Sequence, residues 1–348
     1  MDGRAVLLAL AATPGALPAV TAARLAAGQA AAELLGPGSP EPGLVGRRLD
    51  ALGASFLTPL DPDWPLLATP PDPPCAWLFA AGRHPPPAGT SVAIVGGRRA
   101  TPLRAAVARS LASGLAAAGW TVVSGGAVGV DAAAHQGALD AGGTTVAVLG
   151  CGLDVAYPRA NQALLARVRA EGGTLLSEHP PGARPLPANF VPRNRLIAAL
   201  AAAVVVVEAA SASGSLSTAR AAGSRGRGRV LVVPGAPWDP GAAGCNELIR
   251  DGATLVRGID DVLAELGAPP AGPERQAPPR APANAPPAGS AAAKVLELLI
   301  DGFPVPMRTI AAVSGLAPDE LARALTELEL RGLARRSAAG VQSLYAFR

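Results

Sequence analysis

Lysine is nearly absent. Of the 30 Lys and Arg residues in this chain of 348, only Lys294 is a lysine. A phosphate loop of the ATPase type needs a lysine in its turn, which argues against ATP hydrolysis by such a loop. Aromatic residues make up 3%, so stacking of bases on rings is expected to be minor and sequence preference weak. The three cysteines, Cys75, Cys151 and Cys245, are odd in number and far apart. That argues against a disulfide scaffold, excludes a CxxC zinc site and suits a reducing cytoplasm, the compartment expected here. No Cys/His/Asp cluster has the spacing of a metal site, and no cofactor is expected. No apolar run of about 18 residues is free of Gly, Pro and charge, so no membrane helix is expected. The apolar N-terminus lacks a small-residue cleavage site behind a basic stretch, so no secretory signal is expected.

What is present is a large apolar fraction, 49%, enough for a sizeable core. The length suggests two or three domains. The net charge is +4, and between residues 91 and 260 there are 16 Arg against 10 Asp and Glu. The positive excess is therefore concentrated in the central segment, which favours a polyanionic partner.

Residues 1–56 are Ala/Leu-rich with helical periodicity, broken at Pro14, Pro18 and a Gly/Pro stretch, and read as a small helical module. Residues 57–90, rich in proline around Trp64, Trp77 and Phe79, read as an extended strap. From residue 91 short β-branched runs alternate with helical stretches: strands at 91–95, 121–124, 144–149, 174–177, 204–207, 230–233 and 254–256. Helices are expected at 103–118, 132–141, 162–170, 193–201, 216–222 and 246–251. Continuous apolar strands with crossover helices mean a buried parallel sheet, so the fold class is α/β, doubly wound and Rossmann-like, over residues 57–267. Residues 268–290 hold 8 prolines in 23 positions and read as a semi-stiff linker. Residues 291–348 show three helices and two strands, the pattern of a winged helix.

Four constellations carry chemistry. The first, Gly96-Gly97-Arg98, follows a strand; glycines let backbone approach a phosphate, and Arg98 adds a charge-assisted bond. The second runs from Ser124 through Gly125, Gly126, Ala127 and Gly129 into Asp131, which reads as a helix N-cap, and free amides at such a turn make an anion site. The third, Arg193-Asn194-Arg195, opens the expected helix at 193–201. Arginine there opposes the helix dipole, which favours a functional role; the alternative is pairing with Glu178 or Glu208. The fourth, Ser213-Gly214-Ser215, again sits at a helix start, where simple capping accounts for part of the pattern. All four belong to one sheet, whose loops at the carboxyl ends of parallel strands are where ligands bind.

The ordered set IVGGR from Ile94, SGGAVGVDAAAH from Ser124, GLDVAYPRAN from Gly152, LLSEHPPG from Leu175, RNRLIAAL from Arg193, VVVVEA from Val204, SGSLSTA from Ser213, VVPG from Val232 and GCNELIRDGA from Gly244 resembles the DNA-processing protein A family (DprA, also called Smf). The resemblance covers roughly residues 57–256, and the strap and winged helix also fit it. It implies an extended Rossmann domain that binds single-stranded DNA, forms a homodimer, and in transformable bacteria protects incoming strands and helps load RecA in natural transformation and recombination. It places DNA contacts at Gly96, Gly97, Arg98, Ser124, Gly125, Gly126, Ala127, Gly129, Arg193, Asn194 and Arg195; Ser213, Gly214 and Ser215 join the expected phosphate-binding set from their own place at a helix start. The family usually has serine where this chain has Gly97, often reads Phe-Pro-x-Arg-Asn-Arg where the proline here stands one place later at Pro192, and in some members has a lysine where this chain has Pro187.

The competing class is a nucleotide-binding or nucleoside-monophosphate-hydrolysing enzyme of the lysine-decarboxylase-like Rossmann group. Its phosphate loop carries a following carboxylate, and the stretch Ser213–Thr218 here has none. A binding protein without catalysis is therefore expected. The acidic third helix of the winged helix (Asp319, Glu320, Glu327 and Glu329 against Arg323) suits protein contact better than duplex reading.

Overall fold

The computed structural model describes residues 3–13, 18–26, 33, 42–66, 70–223, 229–268, 284, 286–287, 289–299, 307–337 and 340–343. Most of the proline-rich stretch expected as a linker, residues 268–290, lies outside them. Two compact units are present, the larger running to Arg275 and the smaller starting at Gln276.

The larger unit begins with helices α1 (Gly3–Ala12), α2 (Pro18–Ala26) and α3 (Pro42–Leu52) and strands β1 (Ala54–Leu57) and β2 (Leu78–Gly82). The alternating part follows: β3 (Ser91–Val95), α4 (Pro102–Ala117), β4 (Thr121–Ser124), α5 (Val130–Asp140), β5 (Thr145–Leu149), α6 (Gln162–Ala170), β6 (Thr174–Ser177), α7 (Pro187–Leu200) and β7 (Ala201–Val206). It ends with α8 (Ser215–Gly223), β8 (Arg229–Val232), α9 (Ala243–Arg250), β9 (Thr254–Leu255) and α10 (Ile259–Leu266).

Nine strands form one sheet in the order β1-β2-β6-β5-β4-β3-β7-β8-β9. From β6 to β9 every pairing is parallel. Chain order runs outward from β3 to β6, then returns to β7 on the other side of β3, so the switch point of this doubly wound sheet lies between β3 and β7. All residues of β3 and β5 are buried, as a strand covered on both faces requires. Alternate side chains serve opposite layers. Val92 and Ile94 pack with Leu111 and Leu115 of α4 and Val130 of α5. Ala93 and Val95 share a cluster with Leu196, Ile197 and Leu200 of α7 and Leu216 of α8. A third cluster packs α1, α3 and α6 on β2, β5 and β6.

Three local features differ from the sequence expectation. Strand β1 closes the segment read as a helical module and β2 lies inside the segment read as a strap: β1 pairs antiparallel with β2, and β2 antiparallel with β6. Proline around these short segments hides strands whose partners are distant in sequence. Helix α7 starts at Pro187, not at Arg193, with Pro192 inside it. Proline suits a first helical position; Pro187 takes that place, and Pro192, just before the expected start, falls in the second turn. The helix α10 at the end of the unit was not expected.

The smaller unit has helices α11 (Ala291–Leu298), α12 (Met307–Ser314) and α13 (Pro318–Leu330) and a hairpin of β10 (Ala334–Ser337) with β11 (Gly340–Ser343). Leu296, Ile310, Leu325, Leu328 and Val341 close its own core. Charges on α13 are neutralised locally: Asp319 pairs with Arg323, Glu327 with Arg331, and Glu329 with Arg336 of the hairpin. Among the described residues, no helix is long and apolar enough to cross a membrane.

Candidate functional site

The carboxyl ends of β3, β4 and β5 open into a small cleft of about 100 Å³ lined by Arg98, Gly125, Gly126, Ala127, Val128, Tyr157, Pro158, Phe190 and Arg193. That volume is below the range of small-molecule pockets, so the cleft suits part of a longer ligand lying across the rim rather than an enclosed small molecule. The first and second glycine loops meet here. Val130 donates its amide to the Gly97 carbonyl at 3.2 Å, and a Cβ on Gly129 would lie 2.3 Å from that same oxygen. Gly129 also has φ +84°, so both space and backbone conformation demand glycine.

The second loop is folded by side chains reaching into it. Asp131 Oδ2 accepts from the amides of Gly125 (3.1 Å) and Ala127 (3.3 Å). These two amides are thus committed internally, and Asp131 serves the loop rather than capping its own helix. Asn161 donates to the carbonyls of Gly126 and Ala127, both at 2.9 Å. Ser124 donates to the Ile94 carbonyl at 2.7 Å, tying the end of β4 to β3. Gly125 is needed for close approach, because a Cβ there would lie 2.7 Å from both the Arg193 guanidinium and Asp131.

The three expected arginines have different settings. Arg98 is exposed, with its guanidinium carbon 5.6 Å from the centroid of Phe190, in cation–π range. Arg193 is 5% exposed. It donates to the carbonyls of Gly125 (2.7 Å) and Val148, while its Nε has no hydrogen-bond partner. Burial lowers its pKa to about 10, with the Asp131 charge opposing and the Arg98 charge adding to the drop. It stays charged at neutral pH, and two cations of one sign face the same cleft. Arg195 is turned into the interior. Glu178 takes it in a two-pronged ion pair of 2.5 and 2.6 Å, and the Pro73 carbonyl accepts from its Nε at 2.7 Å. Burial pulls the Arg195 pKa down, but the Glu178 hydrogen bonds and charge outweigh it and raise it. Its guanidinium is not offered to a phosphate.

Asn194 reaches the fourth constellation instead of the cleft, donating to the Gly214 carbonyl at 3.1 Å and Ser217 Oγ at 2.8 Å. Ser213 and Ser215 share a hydroxyl contact of 2.7 Å at the start of α8. Gly96 and Gly97 are half-buried between the loops. The cleft thus gathers Arg98, Gly125, Gly126, Ala127 and Arg193, with Ser213, Gly214, Ser215 and Arg195 outside its lining.

Sequence reasoning passed over the rings. Tyr157 and Phe190 stand 5.4 Å apart, tilted by 38°, and both line the cleft. Their signal was their place, Tyr157 within GLDVAYPRAN and Phe190 three residues before Arg193; a composition of few aromatics does not say where those few are put. Asp131 and Asn161, which shape the loop from beneath, were also outside the expected set.

Comparison with known proteins matches residues 55–267 to the family described as DNA recombination-mediator protein A and residues 278–340 to the DprA winged helix domain. A Mycobacterium tuberculosis (strain H37Rv) protein named for DNA processing as DprA is 39% identical over 297 residues, 81% of this chain and 75% of that protein. The X-ray structure of DNA processing protein A from Streptococcus pneumoniae superposes with TM-score 0.59 at 32% identity, covering 76% of this chain and 98% of that one. A Helicobacter pylori DNA processing protein A, solved to show its single-stranded DNA binding mode, gives TM-score 0.52 at 32% identity over 61% of this chain and 95% of its own. A glycine-loop cleft of this kind, on a doubly wound sheet with a winged helix behind it in sequence, joins these matches in one conclusion: the chain belongs to the DNA processing protein A (DprA/Smf) family.

Proposed function

We propose that this chain binds single-stranded DNA at the cleft beside Arg98 and serves, as its family does, in DNA processing during natural transformation and recombination. The observation that carries the reading is the pair of like charges, Arg98 and Arg193, facing one small open cleft beside two aromatic rings. An anion placed there relieves their repulsion. The phosphate lies against Arg98 and the open side of the second glycine loop, with Arg193 supplying positive potential from below. The base lies against Phe190 or Tyr157 by its flat face, which every base has, so sequence preference stays low. Ser124, Gly129 and Asn194 hold the loops in place, and Arg195 holds α7. In this reading the protein works in the cytoplasm by binding, not by catalysis; handing the strand to RecA and pairing of two copies follow from family membership and await their own tests.

The test is a fluorescence-anisotropy titration with a labelled oligothymidine, repeated with duplex and mononucleotide competitors at two salt concentrations. The expected result is preference for the single strand, weakening with salt as counterions are released. Preference for duplex, or displacement by mononucleotide at equal molarity, overturns the reading. Release of free base from AMP or CMP restores the enzyme alternative.

A further inference from the structure

Three of the four tryptophans, Trp64, Trp77 and Trp120, are buried, whereas Trp238 is 84% exposed. It lies at the turn of the loop that leaves β8. The ring contributes little to the core, yet the loop beneath it is pinned at several points. Arg104 donates to the Pro234 carbonyl at 3.1 Å. Gly235 and Asn246 exchange two hydrogen bonds, of 3.3 and 3.2 Å. The Asp239 amide closes the turn on the Ala236 carbonyl at 3.0 Å, and its side chain accepts from the Gly241 amide at 2.9 Å. Pro234, Pro237 and Pro240 fix three further φ angles. A large ring held out to solvent by a loop this constrained has the form of a binding platform.

Its position names the occupant. Val95 of β3 stands opposite Val206 of β7, and Val206 opposite Val232 of β8. The Trp238 loop therefore leaves the same rim as the loop bearing Arg98, two strand spacings or about 10 Å along it. Glu208 spans the gap: a Cβ on Gly97 would lie 3.0 Å from one of its carboxyl oxygens, and a Cβ on Gly241 2.9 Å from the other. Only the end of β7, which leads into Glu208, lies between the two loops along the sheet. Asp239, next to the ring, lies 3.6 Å from Arg104, which offsets its charge toward a polyanion.

We propose that Trp238 is a stacking platform for a base of single-stranded DNA, extending the strand's track along the rim from the Arg98 cleft to the carboxyl end of β8. This rests on the single-strand reading of the cleft. The contact is made by the indole face and takes no phosphate, so it adds affinity without adding salt dependence.

The test uses the full chain and an oligothymidine long enough to span the rim, followed by intrinsic tryptophan fluorescence and by anisotropy across a salt series. Saturation quenches the fluorescence. In Trp238→Phe most of the affinity remains and the quench is lost. Trp238→Ala weakens binding roughly fivefold or more with an unchanged salt slope, whereas Arg98→Ala, run alongside, weakens it and flattens the slope. If Trp238→Ala binds as wild type while Arg98→Ala is weakened, the platform is overturned and the cleft stands. If neither variant loses affinity, the single-strand reading of the cleft itself fails. Unchanged DNA affinity together with an altered sedimentation coefficient for Trp238→Ala assigns the ring to a protein interface and also overturns the proposal.

Discussion

Replacing Arg98 by alanine separates the charge of the cleft from its architecture. Arg98 is exposed and its described contact is the ring of Phe190, 5.6 Å from the guanidinium carbon, so its loss should move folding stability by less than about 0.5 kcal/mol. In binding, the guanidinium exchanges a solvent-exposed cation–π contact of about 0.5–1 kcal/mol for a charge-assisted bond to phosphate of about 1.5–3 kcal/mol. The net is about 1–2 kcal/mol, or roughly 5- to 30-fold in affinity. One phosphate contact fewer should also lower the slope of log affinity against log salt by about 0.7. Anisotropy titrations of an oligothymidine at four salt concentrations, with thermal melts of both proteins, measure all three quantities. A variant that melts as wild type but binds with the same affinity and slope refutes the placement of a phosphate beside Arg98. A variant that loses affinity with its slope intact means that Arg98 acts by holding Phe190, not by charge.

Two further predictions concern groups beneath the cleft. Arg195→Ala leaves Glu178 buried without its partner and should cost about 3–5 kcal/mol of stability; removing both charges in Arg195→Leu with Glu178→Leu should recover part of that loss, as read by urea denaturation. His135 is fully buried against Thr145 and held neutral, its pKa lowered from an ordinary 6.5 to about 3 by burial first and the Arg193 charge second. The unfolded chain takes up a proton below about pH 6.5 while the folded one resists until about pH 3, so stability drains away as pH falls through that window, by up to about 4 kcal/mol. Asp131, whose carboxyl is raised by burial, acts with the opposite sign, so the quantity to compare is the difference between wild type and His135→Gln, which should have a flatter acid limb in denaturation between pH 7 and pH 4.

The sheet was legible because both of its faces are covered. Runs such as the one at 204–207 are apolar at every position, and only a parallel strand under crossover helices uses such a run between helical stretches. The strands β1 and β2 were not legible for the converse reason. They pair antiparallel at an edge with partners far off in sequence, and proline flanks them, so nothing local marks them. Around the site, glycine and arginine announced that a loop approaches something closely, but not what. Gly125 approaches Arg193 and Asp131 of its own chain. The amides of Gly125 and Ala127, which looked free for an anion, fold the loop onto Asp131.

The arginines show why burial decides what a motif does. Arg193 and Arg195 are two residues apart on α7, about 200° around the helix, so they cannot serve the same face. Arg195 meets Glu178 and the Pro73 carbonyl, fastening α7 to the segment that leads into β2 and to the end of β6. Arg193 meets the carbonyls at the ends of β4 and β5 and lends its charge to the cleft from underneath. Neither side chain needs to leave the protein to matter for an anion: one sets the position of the helix carrying Phe190, and the other sets the potential of the cleft floor. In the proposed reading the contact itself falls to Arg98, which alone of the three is solvent-exposed. Two arginines close in sequence are thus divided in space into a rivet and a floor, with the exposed cation supplied by a different loop. The proposed anion site therefore depends on the two glycine loops being pressed together at Gly97 and Gly129, since that contact brings Arg98 over the cleft that Arg193 underlies.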